Sequence, residues 1–191
     1  MVTSLLAQEY MKRKFSSIEK VTNKEVESYY NTHKSEFINP SMVKAQHILV
    51  KVDAKTATPA EIAVAEAKAA SIKKELEGGA DFSKLAEKHS DDPGSKSRGG
   101  DLGFFTKEQM VPEFSKAAFS LKKGEISQPV KSTFGFHIIK VTDIREEKQM
   151  SLEESAPSIQ ALLEKQRRKD VIEKEIERLK KKYKVSITRA K

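Results

Sequence analysis

The chain has 191 residues, a third of them charged and 37% apolar, with a net charge of +8 and neither Cys nor Trp. The missing cysteine excludes disulfides, thiolate catalysis and Cys-ligated zinc, and no apolar run approaches the roughly 18 residues of a membrane-spanning helix. The N-terminus carries no apolar signal segment, so this reads as a soluble chain, although an exported protein stripped of its signal reads the same way.

Residues 1–21 read as a helix with Leu5, Leu6, Tyr10 and Phe15 on its apolar side. No cap precedes it, as if an upstream partner were missing. Thr22 and Glu25 then form a capping box, and the helix they open carries Val26, Tyr29, Tyr30 and His33 at helical spacing. "NPSM" (39–42) closes this first segment, residues 1–41, as a linker.

From Met42 to Arg145 the composition changes. In "KAQHILVKV" (44–52) side chains alternate as a strand, with Ala45, His47 and Leu49 on one face and Ile48, Val50 and Val52 on the other. Thr58 caps the next helix, Pro59 is its first residue, Glu61 completes the box and Gly78 ends it. Ile62, Ala65, Ala69, Ile72 and Leu76 are its buried stripe. A shorter helix capped by Asp81 turns Phe82, Leu85 and Ala86 inward. A turn-rich loop (89–100), a short strand (101–105), a third helix (108–121) and two further strands follow, the last placing His137 on a face with Ile139 and Val141. The order β-α-α-β-α-β-β implies an α+β domain with helices packed around a small, mainly antiparallel sheet.

The third segment, residues 146–191, opens with a capping box at Ser151 and Glu154. Its helix of some 30 residues carries Ile159, Leu162, Leu163, Val171, Ile172, Ile176 and Leu179 as a stripe. That stripe is too long to stay wet, and the N-terminal helices are its obvious partner. "KVSITRA" reads as a terminal strand or tail. Residues 164–184 hold ten basic and five acidic side chains. They read as a solvated helix face laced with i,i+4 pairs, Glu173 and Glu177 against Lys174 and Arg178. Stacking aromatics are missing among them, so no nucleic acid is expected as a partner.

A histidine alone in a strand reads as a satisfied core residue, and two of them could be half a metal site. The other imidazoles, His33 and His89, fall elsewhere on helices, so no metal site is expected.

"AQHILV", "DFSKLAEKHSDDPGSKSRGGDLGFF" and "MVPEFSKAAFSLKKGEISQPVKSTFGFHIIKV", in this order over residues 43–145, resemble the parvulin-type peptidyl-prolyl cis/trans isomerases. The resemblance implies that His47 and His137 lie side by side at the centre of the sheet beneath a proline pocket. It implies that Asp92 stands beside His47 where some parvulins have a cysteine, and that Leu102, Met110 and Phe114 line the pocket with Phe105 close by. Ser132 and Phe134 fall near its rim. No cofactor is implied, because rotation about a prolyl bond requires neither a nucleophile nor a bound group. The loop "KVDAKTATPAE" carries Lys51 and Lys55 and no arginine, so phosphate before the proline is not expected to be required.

The flanking segments resemble the helices that surround the parvulin domain in SurA- and PrsA-type foldases of bacteria. That likeness implies a helical module built from both ends of the chain, clients that are unfolded or partly folded proline-containing polypeptides, and the periplasm or cell envelope as location. An exposed apolar groove in such a module invites homodimers by exchange of helices. The alternative reading is a client-binding chaperone whose parvulin domain is catalytically idle.

Overall fold

A computed structural model of the chain describes residues 2–53 and 55–183, with side chains from Gln8 onward in the first helix. The side chains of Leu5 and Leu6 of the expected apolar side, and the "KVSITRA" tail, lie outside what is described. The elements in chain order are α1 (Val2–Ser16), α2 (Asn23–Thr32), β1 (Ile38–Asn39), β2 (Met42–Lys51), α3 (Pro59–Glu77) and α4 (Phe82–His89). They continue as β3 (Asp101–Phe105), α5 (Pro112–Ala118), β4 (Val130–Ser132), β5 (Gly135–Arg145), β6 (Lys148–Gln149) and α6 (Leu152–Tyr183). Two compact units result: Met1–Ile38 with Gln149–Lys191, and Asn39–Lys148.

The helical unit rests on local signals and one packed face. Thr22 and Glu25 exchange the expected reciprocal bonds at the start of α2, and Ser151 and Glu154 do so before α6. Val26 and Tyr30 of α2 bury against Ile159 of α6, and the Tyr30 hydroxyl donates to the Met150 carbonyl at 2.5 Å. The expectation that the whole α6 stripe is covered does not hold. Leu162, Ile172 and Ile176 remain 44%, 37% and 41% exposed. α2 packs around Ile159 near the start of α6, and beyond that contact it is Glu175, not Ile172 or Ile176, that is buried. Further along α6, Glu175 is buried under α1, holding the Tyr10 hydroxyl, Lys14 at 3.4 Å and Arg178 at 2.6 Å. The Arg178 guanidinium first, with Tyr10 and Lys14, holds its carboxyl down at about 2. The ion pairs along α6 also differ from the expected set: Glu173 meets Lys169, Glu177 meets Lys180 and Glu175 meets Arg178.

The Asn39–Lys148 unit is built on an antiparallel sheet of order β3-β2-β5-β4. On one face Ile48, Val50, Phe136 and Ile138 pack under α3 and α4 through Ala69, Ile72, Phe82 and Leu85. On the other, Val43, Ala45, Ile139 and Val141 pack with Phe105 and with Phe114 and Ala118 of α5. A bulge keeps this division: Lys44 opposes Asp143 but Ala45 opposes Val141, leaving Thr142 as an extra residue. Ile144 therefore stays on the Val43 face, and the charged Asp143 does not turn into it.

α5 is shorter than the helix expected over 108–121. Pro112 favours the first helical position and forces extended backbone on Val111 before it, so the residues upstream form a separate 3-10 turn, Lys107–Gln109. α3 runs as expected to its cap at Gly78, and the left-handed conformation follows one residue later at Gly79. The "NPSM" linker contributes Asn39 to β1, which pairs with β6.

The loop between α4 and β3 is clasped to the open edge of β2. Asp91 N–H donates to the Leu49 carbonyl at 2.8 Å, and the His47 and Leu49 N–H groups donate to the Gly100 carbonyl and Ser90 Oγ at 2.9 and 3.2 Å. The approach at Gly100 admits no side chain: φ is +81°, and a Cβ would stand 2.3 Å from the His47 carbonyl oxygen. Gly100→Ala is expected to cost about 3 kcal/mol, read as a lowered midpoint in urea denaturation; an unchanged midpoint would show that the clasp is dispensable.

Candidate active site

His47 and His137 meet because of strand register. His47 opposes Ile139 and His137 opposes Leu49 across β2 and β5, so the two imidazoles sit diagonally on one face. Their rings lie 5.6 Å apart and 16° from parallel, and Phe114 stands perpendicular to both, at 5.7 and 5.3 Å. Both histidines are buried.

Every ring nitrogen has a partner. His47 Nε2 lies 2.7 Å from Asp92 Oδ2 and 3.0 Å from Ser95 Oγ. The two Nδ1 atoms face each other at 3.4 Å, and His137 Nε2 lies 2.7 Å from Ser132 Oγ. These partners set the protons. A carboxylate only accepts, so His47 carries its proton on Nε2 and its Nδ1 is an acceptor. His137 must then donate from Nδ1, and its Nε2 accepts from the Ser132 hydroxyl. Ser132 Oγ accepts in turn from Phe134 N–H at 3.1 Å. The chain runs with one polarity from a backbone amide to Asp92.

The carboxylate at its end is well held. Ser95 Oγ donates to Asp92 Oδ2, and Gly94 N–H donates to Oδ1 at 3.0 Å. Burial opposes the charge, but the Ser95, His47 and Gly94 bonds outweigh it and bring the carboxyl down to about 2. Burial keeps both histidines neutral: it pushes His47 down against the pull of Asp92, and with the nearby His47 it brings His137 down to about 4.

Above this floor lies a cavity of about 370 Å³, at the small end of ligand pockets. Leu102, Met110 and Phe114 line it as expected positions would require, together with His47, Asp92, His137 and, at the rim, Phe134, which is 55% exposed. Two assignments need correction. Phe105 does not face the cavity; it is buried behind Phe114, 5.9 Å away, within the sheet's core. Ser132 is not a rim residue but is buried beneath, where its hydroxyl is consumed by His137. Leu49, Gln109, Val111 and the fully buried Ser95 were not singled out. Strand alternation alone pointed to Leu49, two residues after His47; nothing periodic marks the other three. Among the described residues no cluster of His, Asp and Glu converges as a metal site.

The floor generates a pH prediction. His137 is neutral in the fold with a value near 4 and ordinary, about 6.5, when unfolded. The unfolded chain therefore binds more protons between these values, and stability is full above about 6.5 and falls as pH drops towards 4. The expected loss is about 3 kcal/mol, deepened by His47, whose shift has the same sign, and below about 3.8 by Asp92. Urea denaturation at pH 7 and 4.5 measures it, and His137→Gln should flatten the slope.

The rotamase family, described as PPIC-type PPIASE domain, matches residues 47–143, about half of the chain. The Foldase protein PrsA of Exiguobacterium sibiricum is 43% identical over 185 residues, covering 96% of this chain and 55% of that protein. The Foldase protein PrsA of Geobacillus kaustophilus is 47% identical over 140 residues, 73% of this chain and 42% of that one. A solved structure described among the SurA-like chaperones of Campylobacter jejuni, the virulence factor PEB4 and the periplasmic protein Cj1289, superposes with a TM-score of 0.68. That match has 30% identity and covers 98% of this chain and 71% of that one. The chain thus spans about half the length of the PrsA foldases it matches.

Proposed function

The chain belongs to the PPIC-type peptidyl-prolyl isomerase family, and on that premise we propose that it catalyses cis/trans rotation about Xaa-Pro bonds in unfolded or partly folded polypeptides. The observation that carries the reading is the mostly apolar cavity over a fully satisfied His47–His137–Asp92 floor. Amide resonance sets a barrier of about 18–20 kcal/mol to rotation, and uncatalysed exchange takes tens to hundreds of seconds. A twisted prolyl amide has lost that resonance and much of its charge separation. A pocket walled by Leu102, Met110 and Phe114 suits it better than water does, so binding favours the twisted form over either planar one. In this reading the proline ring occupies the space above Phe114. His47, Asp92 and His137 keep the floor rigid and set the field beside the rotating carbonyl. Among the described residues Asp92 is the sole charged one of the lining, which supports neutral rather than phosphorylated residues beside the proline.

The helical unit takes the client-holding role in this proposal. The exposed Leu162, Ile172 and Ile176 support it, as does the likeness to proteins described as SurA-like chaperones. The same likeness supports a place in the bacterial periplasm or cell envelope; among the described residues no helix is long and apolar enough to cross a membrane. Pairing of two copies through α6 completes the proposal. Ile176→Glu should then turn a concentration-dependent dimer into a monomer in sedimentation velocity, and a wild-type chain that sediments as a monomer at all concentrations refutes the pairing.

NMR exchange spectroscopy on an Ala-Ala-Pro-Phe peptide tests the activity. Cross-peaks between cis and trans forms should appear at catalytic protein concentration. Met110→Ala, altering a half-buried wall, should lower kcat/KM roughly tenfold while the domain stays folded. Chemical-shift perturbation around the pocket with no acceleration would favour the idle-domain chaperone instead.

A further inference from the structure

Gln109 ends the 3-10 turn before α5 and lines the cavity beside Met110. Its Oε1 accepts the Thr106 N–H at 2.8 Å at an exposed position, which ties the side-chain amide to the turn. The NH₂ of that amide has no partner among the described residues. It is alone in this among the polar side chains of the lining. Asp92 has no proton to give, the His47 proton goes to Asp92, and the His137 proton goes to His47. The remaining lining side chains, Phe134 and Val111 among them, are apolar. Of the lining side chains, Gln109 therefore holds the uncommitted donor.

What such a site lacks determines what it holds. A segment containing Xaa-Pro is rich in acceptors, because proline contributes a carbonyl and no N–H. Placing it in an apolar cavity strips water from those carbonyls, and leaving them unpaired opposes binding. We infer that Gln109 is a substrate-positioning residue whose side-chain N–H donates to a backbone carbonyl of the bound client. The inference rests on the isomerase reading. The cap on Thr106 by itself does not require glutamine, since a glutamate oxygen accepts equally well; only the amide adds a donor.

Two variants separate the roles. Gln109→Glu keeps the acceptor for Thr106 and removes the donor, whereas Gln109→Met removes both. With the neutral peptide in NMR exchange, both should lower kcat/KM roughly five- to tenfold, the range of one neutral hydrogen bond. The Thr106 amide shift should stay at its wild-type position in Gln109→Glu alone. A loss confined to Gln109→Met assigns the residue to the cap and overturns the inference. So does a Gln109→Glu loss that vanishes at high salt, which would be charge repulsion from Asp92. Wild-type protein without acceleration refutes the isomerase reading itself, whereas an active wild type with an equally active Gln109→Glu refutes only the role of Gln109.

Discussion

The antiparallel register of β2 against β5 is the constraint on which the rest depends. It sets His47 opposite Ile139 and Leu49 opposite His137, and a slip by one residue would carry each imidazole to the other face. There it would meet the core under α3 and α4, built from Ile48, Val50, Ala69 and Ile72, with no acceptor for either ring. The bulge at Thr142 works in the same direction. It lets the far end of β5 return Ile144 to the apolar face without disturbing the pairing near the histidines.

Given that register, the polar chain follows from the need to satisfy buried donors. Two neutral imidazoles between a hydroxyl and a carboxylate have a single arrangement of protons that pairs every nitrogen. Asp92 terminates it and is itself held by Ser95 and Gly94. The loop that delivers Asp92 is fastened to the edge of β2 through Leu49, His47 and Gly100. Strand, loop and side chains thus form one rigid floor, and rigidity is what a pocket that discriminates a twisted amide from a planar one needs.

Much of this was legible beforehand, for physical reasons that differ between parts. Capping boxes at Thr22, Thr58 and Ser151 are local, so their residues state the helix starts directly. The two strand faces follow from alternation, and the histidines stand out because they break an apolar pattern. Residues whose meaning is tertiary were not legible. Ser132 reads as a rim residue until His137 is seen to consume its hydroxyl, and Phe105 reads as one more pocket aromatic until Phe114 is seen in front of it. Ser95 and Gln109 carry no periodicity at all. The helix stripe on α6 misled in the opposite way: its pattern is real, but a pattern does not state which of its residues a partner covers, and under α1 that residue is Glu175.

The two ends of the Asn39–Lys148 unit are drawn together by the pairing of β1 with β6 and by the Met150 N–H on the Phe37 carbonyl. This has a consequence for the order of assembly. The helical unit joins residues far apart in the chain, Tyr30 to Met150 across 120 positions and Glu25 to Arg167 across 142. Searching for those contacts from an unfolded chain means closing a long loop, whose entropic cost grows with its length. The intervening unit is contiguous in sequence, so its own contacts close shorter loops. Once it has folded, it serves as a short, stiff bridge, and the remaining search is that of a tethered helix for its neighbour. A chain emerging from its N-terminus would therefore complete the inserted unit first, with the helices that surround it closing last.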